Sequence, residues 1–462
     1  MDLNFFDSVV LFMLPPLFLS YLFFGIDDLL IDFWRSIKKI RPVELTPENI
    51  EKISHLKEKR VAILVAAWQE GGVLRRMVTG NMREICYQNF DIFLGVYPND
   101  RATVREAESL EKEFERVHVV INRKEGPTSK GQMLNEVVRA LFSHERENGA
   151  PFDALLIHDS EDLIHPLSLK IINWKLTSSD FVQLPVFPIE MPLRALVAGT
   201  YMDEFAEAHT KTLLVRESLG ASLPSAGVGT ALSRKLVNTL VGEQKGFLMN
   251  ESTLTEDYDL GVRCRRERFS QAFACYYYWS ANRKREFIAT RAYFPRKLLK
   301  SIRQKTRWNF GITFQGTEQI GWLGSLANRY FLYRDRKGLV SNIIAFIGLF
   351  ACLYGSLQIL LPSSRMIEIP PLLQGCAFLN LLFMLHRSIE RMRAAAFVYC
   401  WKTAFFVPFR LLVGNVVNGL ASLRATSQFF RSKLFGDHPV WIKTEHELPS
   451  GFGLSATQEV KA

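Results

Sequence analysis

The segment Arg60-Val-Ala-Ile-Leu-Val-Ala-Ala-Trp-Gln-Glu70 decides the fold of the central part of the chain. Its continuous apolar run is typical of a strand that is buried on both faces. Similar runs begin at Asp91, Val117 and Ala154, and polar stretches with helical character separate them. Strands that alternate with helices predict an α/β fold, with a mostly parallel sheet and helices on both faces.

Both ends of the chain are richer in apolar residues than this central part. Apolar residues make up 48% of the 462 residues and aromatic residues 12%. The run Phe5–Ile26 is long enough to span a bilayer, and it lacks the basic start of a cleavable signal peptide. The runs Val340–Leu361 and Ile367–Leu385 are predicted to be two further spans.

A fourth apolar run, Ala394–Leu423, contains Lys402 and Arg410. Each of these charges costs about 2.5–3.5 kcal/mol at the centre of a bilayer. We therefore expect this run to be interfacial or re-entrant. The expected division of the chain is residues 1–40 for the first membrane helix, 41–334 for a globular domain, 335–423 for a second membrane region and 424–462 for a tail.

The formal net charge is +10, and much of the basic charge flanks the apolar runs. This placement follows the positive-inside rule, so it favours membrane lipid as a partner and argues against nucleic acid. It predicts a globular domain and tail in the cytoplasm, residues 362–366 outside and residues 386–393 inside. The six cysteines are scattered without a disulfide or zinc pattern, which fits a reducing compartment.

Several polar residues follow predicted strands, where ligands bind in parallel sheets. Glu70 and Asp100 come just after the first and second strands, and either acid could contact a ribose or base or simply belong to a surface loop. Lys130 lies in the loop Gly126–Asn135, which could receive a phosphate or could be a plain helix start. The spacing of this loop is not that of a Walker A motif.

Two acidic clusters have the composition of a catalytic site. The segment His158–Asp162 places three acids within four positions at a strand end, which suits Mg²⁺ or Mn²⁺ shared with a diphosphate, or else a solvated turn. The segment Thr253–Asp259 could cap the helix that follows it or supply a general base to an acceptor hydroxyl. Further along, Arg303–Trp308 could line a sugar or diphosphate site or anchor an interfacial helix.

Taken together, these segments resemble the family-2 glycosyltransferases, which include bacterial cellulose synthase and hyaluronan synthase. The resemblance covers roughly residues 60–311. Within the family, the segments His158–Pro166 and Trp441–His446 resemble those of one branch of inner-membrane glycosyltransferases. This branch is named after bacteriophage-adsorption protein B. The third position of the metal motif is Glu161 rather than Asp, which changes the reach of that carboxylate. The motifs occur in the family's order: Glu70, Asp100, Asp159-Ser-Glu161, Thr255-Glu256-Asp257, and Gln304 with Arg307 and Trp308.

The resemblance implies a GT-A fold and an inverting displacement. Asp159 and Glu161 would hold a divalent cation, Mg²⁺ or Mn²⁺, and Asp257, with Glu256 beside it, would act as the catalytic base. The implied donor-binding residues are Glu70, Asp100, Lys130 and Asp159, and the residues implied to close over the diphosphate or acceptor are Gln304, Arg307 and Trp308.

The implied function is transfer of sugar from a nucleotide-diphosphate sugar, with UDP-sugar as the expected donor, to a growing polysaccharide or glycan. The implied location is the bacterial inner membrane. A partner in the outer membrane could then export the product. One alternative is a lipid glycosyltransferase that adds a single sugar to a lipid-linked acceptor. The alternative from another class is a membrane scaffold or phage-adsorption component that retains the fold without activity.

Overall fold

The structure, a computed structural model, describes residues 3–244, 246–360 and 369–437. The predicted outer loop at residues 362–366 and the motif Trp441–His446 lie outside these ranges. The strands are β1 (Val43–Glu44), β2 (Val61–Ala66), β3 (Phe90–Val96), β4 (Val117–Ile121), β5 (Ala154–Asp159), β6 (Phe181–Gln183), β7 (Val186–Pro188), β8 (Thr230–Ser233), β9 (Gln271–Phe273), β10 (Tyr276–Trp279), β11 (Arg285–Phe287) and β12 (Thr290–Ala292).

The helices of the globular part alternate with the strands from β2 to β6, whereas later strands and helices also follow one another directly. They are α2 (Pro47–Ser54), α3 (Leu74–Glu84), α4 (Arg101–Glu113), α5 (Lys130–Asn148), α6 (Ser168–Lys175), α7 (Leu196–Glu207), α8 (Leu213–Ser218), α9 (Arg234–Glu243), α10 (Glu256–Arg266), α11 (Leu298–Asn309) and α12 (Gly316–Gln319). The long helices of the two ends are α1 (Leu3–Ile37), α13 (Leu326–Leu360), α14 (Pro371–Val398) and α16 (Val407–Phe435), with the short α15 (Trp401–Phe405) before the last.

The central sheet confirms the predicted mostly parallel α/β architecture. Seven strands are ordered β4-β3-β2-β5-β8-β6-β9. The first four of these pair in parallel, whereas β8 runs antiparallel to both of its neighbours. Ala66 lies opposite both Gly95 and Asp159, so the strand end before Glu70 is level with the acidic end of β5.

The strand quoted from the sequence is apolar on both faces because each face meets a separate core. Val61, Ile63 and Val65 pack into one hydrophobic cluster, and Ala62 and Leu64 pack into the other. All five side chains are completely or almost completely buried. Helices therefore cover both faces of the sheet, as the continuous run predicted.

Among the described residues, three helices are long and apolar enough to cross a membrane: Ser8–Ile37, Leu326–Leu357 and Pro371–Val398. They correspond to the three predicted spans, although the first helix extends beyond Ile26 and α13 begins before the predicted domain boundary at residue 334. Ion pairs attach these helices to one another and to the globular part. Asp27 pairs with Arg334 and Lys337, and Asp32 pairs with Lys211 at 2.9 Å.

The predicted interfacial run is divided between the end of α14, the short α15 and the first part of α16. α16 packs against α7, α11 and α13 and continues without a break through residue 423, where the sequence placed a boundary. Arg410 makes two hydrogen bonds of 2.7 Å to the Asp203 carboxylate. The charge that would be costly in lipid is therefore neutralised by α7, whereas Lys402 is exposed.

We expect Arg410→Met to lower the stability of the protein strongly. Arg410 and Asp203 are each 2% exposed, so the substitution leaves a buried carboxylate without its partner. Breaking such a pair costs about 3–5 kcal/mol, whereas replacing both partners with apolar residues is often neutral. The measurement is the apparent melting temperature in detergent, for Arg410→Met alone and combined with Asp203→Leu.

The matched control is Arg431→Met, because Arg431 lies near the other end of α16 in an exposed pair with Asp437. It should melt like the wild type. The same melting temperature for Arg410→Met and Arg431→Met would show that the buried pair does not hold α16 in place.

Candidate active site

A cleft of about 180 Å³ lies at the carboxyl ends of β2 and β5. It brings together residues that are separated by up to 242 positions in the chain, from Ala66 to Trp308. Ligands bind at this edge of parallel sheets, so the location agrees with the sequence-based expectation. The predicted residues that line the cleft are Glu70, Lys130, Asp159, Glu161, Glu256, Asp257, Gln304, Arg307 and Trp308.

Lys130 is the cation at the centre of these acids. It is the first residue of α5, its ammonium contacts the Asp159 carboxylate, and it donates a 2.9 Å hydrogen bond to the Gly227 carbonyl. Burial lowers the pKa of Lys130, but the carboxylates of Asp159 and Glu256 outweigh that effect and raise it above its usual value. The side chain therefore stays charged and can meet an anionic group that enters the cleft.

The three acids at the carboxyl end of β5 have different surroundings. Asp162 accepts hydrogen bonds from the His158 ring, at 2.8 Å, and from the backbone N–H of Asp159, at 2.9 Å. Its carboxylate therefore closes the turn, and burial raises its pKa. The other two acids, Asp159 and Glu161, both line the cleft, where Asp159 contacts Lys130 and Glu161 accepts a 3.3 Å hydrogen bond from the Ser160 hydroxyl.

This donor set fits a hard cation that takes its other ligands from a substrate. Across residues 3–244, 246–360 and 369–437, no three His, Cys, Asp or Glu side chains are grouped as a complete metal site. Mg²⁺ usually binds one or two carboxylates and completes its shell with water and substrate phosphates. Asp159 and Glu161 match that pattern, whereas a structural metal with an all-protein shell would not fit.

The acid pair Glu256 and Asp257 begins α10 and also lines the cleft. The backbone N–H of Tyr258 donates a 2.7 Å hydrogen bond to Asp257. Gly227, with φ +76°, lies against this carboxylate, and a Cβ there would come within 2.7 Å of its Oδ2. A glycine is therefore needed for Asp257 to hold its position.

Burial raises the pKa of both acids. The pKa of Glu256 reaches about 7, first through burial and then through the neighbouring Asp257, while Lys130 acts in the opposite direction. The pKa of Asp257 is also raised, although Lys130 and Arg307 oppose the effect of burial. A raised pKa makes a carboxylate better suited to accept a proton during a reaction at physiological pH.

The raised pKa of Glu256 predicts a pH-dependent effect of Glu256→Gln on stability. The pKa of the Glu256 carboxyl group rises from 4.5 to about 7 on folding, so the folded state binds a proton more tightly than the unfolded state does. The stabilisation is complete at low pH and is lost as the pH rises through about 7. We expect the apparent melting temperature of Glu256→Gln to exceed that of the wild type by a margin that grows between roughly pH 5 and pH 8.

The control for this measurement is Glu267→Gln at the carboxyl end of the same helix, where Glu267 pairs with Arg266 on the surface. Its difference from the wild type should not change with pH in this range. A margin for Glu256→Gln that is equally constant would contradict the raised pKa.

α11 brings the last predicted motif to the cleft. Trp308 packs edge-on against Tyr201, with ring centroids 6.0 Å apart. The Oε1 atom of Gln304 is buried, and no donor within the described part of the chain reaches it. An acceptor atom of this kind is suited to a sugar hydroxyl, because a buried polar atom is costly to leave unsatisfied.

Asp100 is the predicted site residue that the structure does not bring to the cleft. Its carboxylate accepts hydrogen bonds from the backbone N–H groups of Thr103, at 3.3 Å, and Gln69, at 2.6 Å. It therefore caps α4 and fixes the loop that carries Glu70, which is 5% exposed. In this structure Asp100 positions a cleft residue and does not line the cleft itself.

Sequence reasoning missed several contributors to the cleft, among them Gly227 and Trp68. Gly227 leaves room for the Asp257 carboxylate. The sequence signal for it was the pair of glycines at 227 and 229, which both adopt positive φ in the structure. Trp68 lines the cleft and packs edge-on against Tyr97, with ring centroids 5.1 Å apart. Trp68 belongs to the segment that defined the first strand, but an aromatic residue at a strand end is not specific enough to mark a site.

The comparisons with known proteins agree with this arrangement. Residues 59–311, more than half of the chain, match the family described as "Glycosyltransferase like family 2". The chain is 33% identical over 458 residues to bacteriophage adsorption protein B of Escherichia coli K12 and, with the same figures, to bacteriophage N4 adsorption protein B of E. coli O157:H7. The alignment covers 93% of this chain but only 61% of the length of those relatives.

The fold resembles a mannosyltransferase, PcManGT from Pyrobaculum calidifontis, whose structure was solved in complex with GDP-Man and Mn²⁺. The TM-score is 0.51 at 11% sequence identity, and the match covers 88% of this chain and 99% of that one. At this identity the likeness concerns the fold alone, and it confirms the GT-A-type architecture.

Proposed function

This chain belongs to glycosyltransferase-like family 2, and on that premise we propose that it transfers sugar from a nucleotide-diphosphate donor to a growing polysaccharide or glycan. The observation that carries the proposal is the arrangement of Asp159, Lys130 and Asp257. The lysine ammonium contacts the strand-end acid and interacts electrostatically with the helix-start acid in the same cleft. Such a site offers positive charge to a leaving diphosphate and a base to an acceptor.

The proposed reaction is a single inverting displacement. An acceptor hydroxyl oxygen forms a bond to the anomeric carbon while the bond from that carbon to the donor diphosphate breaks. Asp257 takes the hydroxyl proton, and the nucleotide diphosphate leaves with the electron pair of the broken bond. The proton acceptor fits because burial raises the pKa of Asp257, and the neighbouring Glu256 belongs to the same acid pair.

Asp159 and Glu161 would hold a divalent cation, Mg²⁺ or Mn²⁺, which neutralises charge on the donor diphosphate when it is bound. Lys130 would bind the same diphosphate as a point charge. Glu70 would contact the nucleotide, for which a UDP-sugar is the expected source, and Asp100 would act through the loop that carries Glu70. Gln304, Arg307 and Trp308 would close the cleft over the diphosphate or the acceptor end.

The alternatives differ in what receives the sugar. A lipid glycosyltransferase adding one sugar would use the same cleft, and the position of α11 beside α16 and the membrane helices suits a lipid-linked acceptor. A scaffold without activity would not need the acid pair that Gly227 accommodates. The relatives are named for bacteriophage adsorption, a role that an exported surface glycan could fill with the help of an outer-membrane partner.

A panel of nucleotide sugars tests the proposed activity. Purified full-length protein in detergent is given each sugar with Mg²⁺ or Mn²⁺, and release of the nucleotide diphosphate is measured. We expect release from one donor class, and its loss with a chelator. No release from any donor, in protein that melts cooperatively, would favour the scaffold.

The proposed location in the inner membrane predicts a specific topology, because nucleotide sugars are made in the cytoplasm. Reporter fusions after Arg41, Arg393 and Ala462 should be active only in the cytoplasm, and a fusion after Ser364 only in the periplasm. α16 is proposed to lie at the interface, so the chain end returns to the cytoplasmic side. A periplasmic signal at Ala462 would mean that α16 crosses, and one at Arg41 would separate the cleft from its donor.

A further inference from the structure

A second cavity, of about 480 Å³, adjoins the active-site cleft. We call it the side cavity. Its walls are the loop before α5 (residues 127–129), the loop before α10 (residues 251–254), the π-helical turn Phe310–Gln315, α12 and the end of α16. It has the volume of a binding site for an organic ligand.

The side cavity lies directly beside the cleft. Thr128 and Leu254 line both spaces. Leu254 is three positions before Asp257, so a ligand that meets the acid pair can extend past Leu254 into the side cavity. Trp68 and Glu70 line the cleft but not the side cavity, so we assign them to the donor site.

The rim between the two spaces is held in place by Gln315. Its side-chain oxygen accepts a 2.8 Å hydrogen bond from the backbone N–H of Leu254, and its amide donates to the Ser252 carbonyl at 3.2 Å. The loop is thus fixed to the π-helical turn before any ligand binds. Such pre-organisation lowers the entropic cost of binding.

The lining of the side cavity combines aromatic faces with neutral polar groups. Phe314 stacks on Phe429 with ring centroids 4.2 Å apart, and Phe310 lies beside them in the wall. A sugar ring presents apolar C–H faces and a rim of hydroxyls, so it matches a wall of this kind. The neutral polar side chains in the lining are Thr128, Ser252, Thr253, Gln319 and Ser432.

The charges of the lining argue against a nucleotide diphosphate in this space. The charged residues are Glu251, Glu318 and Lys433, and Lys433 is already paired with Glu318 at 2.7 Å. The net charge of the lining is therefore negative, which repels phosphate. A neutral saccharide meets no such penalty.

We propose that the side cavity binds the sugar residues of the acceptor glycan that precede its terminal residue. The terminal hydroxyl then reaches Asp257, while the rest of the chain passes Leu254 and lies against Phe310 and Phe314. This inference rests on the proposed function. It adds that the acceptor is a saccharide of at least two residues, and it places donor and acceptor at opposite ends of the cleft.

Blocking the side cavity at its exposed wall tests this proposal. Gln319→Trp fills the cavity from α12, and Ser252→Trp fills it independently from the loop before α10. Thr317→Trp is the matched control, because Thr317 is equally exposed on α12 but does not line the cavity. Native membrane vesicles containing each protein are given the labelled nucleotide sugar that the wild type uses, and glycan-bound and free sugar are measured separately.

We expect both cavity variants to lower incorporation into glycan by about tenfold, equivalent to roughly 1.4 kcal/mol, with shorter products. Release of free sugar, which needs only the donor site, should stay within twofold of the wild type, and Thr317→Trp should match the wild type in both measurements.

Wild-type levels of incorporation in Gln319→Trp and Ser252→Trp would overturn the inference, while release of free sugar would still support the proposed function. Equal losses in Gln319→Trp and Thr317→Trp would also overturn it, since disturbance of α12 would then explain them. A wild type that neither transfers nor hydrolyses any donor would refute the proposed function itself.

Discussion

Asp257→Asn is expected to reduce sugar transfer by about 10²–10⁴-fold, the usual cost of losing a general base. Asparagine keeps the shape of the side chain and can still accept the 2.7 Å hydrogen bond from the backbone of Tyr258. It cannot take a proton from the acceptor hydroxyl. Binding of the nucleotide diphosphate should therefore stay close to that of the wild type, and calorimetry on the same protein checks it.

Glu267→Gln, at the other end of α10, is the control and should transfer sugar at the wild-type rate. Transfer by Asp257→Asn within a factor of two of the wild type would remove Asp257 from the mechanism. In that case Glu256, whose pKa is raised to about 7, would be the next residue to test as the base.

The second large effect is expected from Asp159→Asn combined with Glu161→Gln. These substitutions remove the negative oxygens that are proposed to hold the cation, and a bound metal contributes several kcal/mol of charge stabilisation in the transition state. Transfer should fall by more than about 10²-fold, since 1.4 kcal/mol corresponds to tenfold. Nucleotide-diphosphate binding, measured by calorimetry, should become independent of the cation.

The control is Asp153→Asn, because Asp153 precedes the same strand at its other end, where it accepts a hydrogen bond from the backbone of Arg60. It should keep the cation dependence of the wild type. Equal affinity of the wild-type protein for the nucleotide diphosphate with and without chelator would reject the metal assignment, whatever the double variant does.

Much of the fold was predictable because local patterns in this chain agree with the tertiary structure. The run from Val61 to Val65 is apolar at every position, and both faces of β2 are indeed covered. The motifs that form the cleft follow strand ends or begin helices, so their order along the chain was sufficient to bring them to one edge of the sheet. The acids at residues 159, 161 and 257 line one cleft for this reason.

What could not be predicted depended on contacts between distant segments. Arg410 looked costly in an apolar run, but its partner Asp203 lies 207 positions earlier, on a helix that no membrane pattern marks. Asp100 accepts hydrogen bonds from two backbone N–H groups that come together only when the loop is folded. The side cavity is formed by segments that are distant in the sequence, from residue 127 to residue 433, and no local pattern indicates that they come together.

Vesicle orientation offers the most direct test of the central claim that sugar is transferred from a nucleotide donor at the cytoplasmic face. Inverted and right-side-out membrane vesicles containing the full chain are given the labelled nucleotide sugar, and label in glycan or lipid product is counted. We predict incorporation only in inverted vesicles, and its loss with Asp257→Asn. Incorporation only in right-side-out vesicles, or incorporation that Asp257→Asn leaves unchanged, would contradict the account.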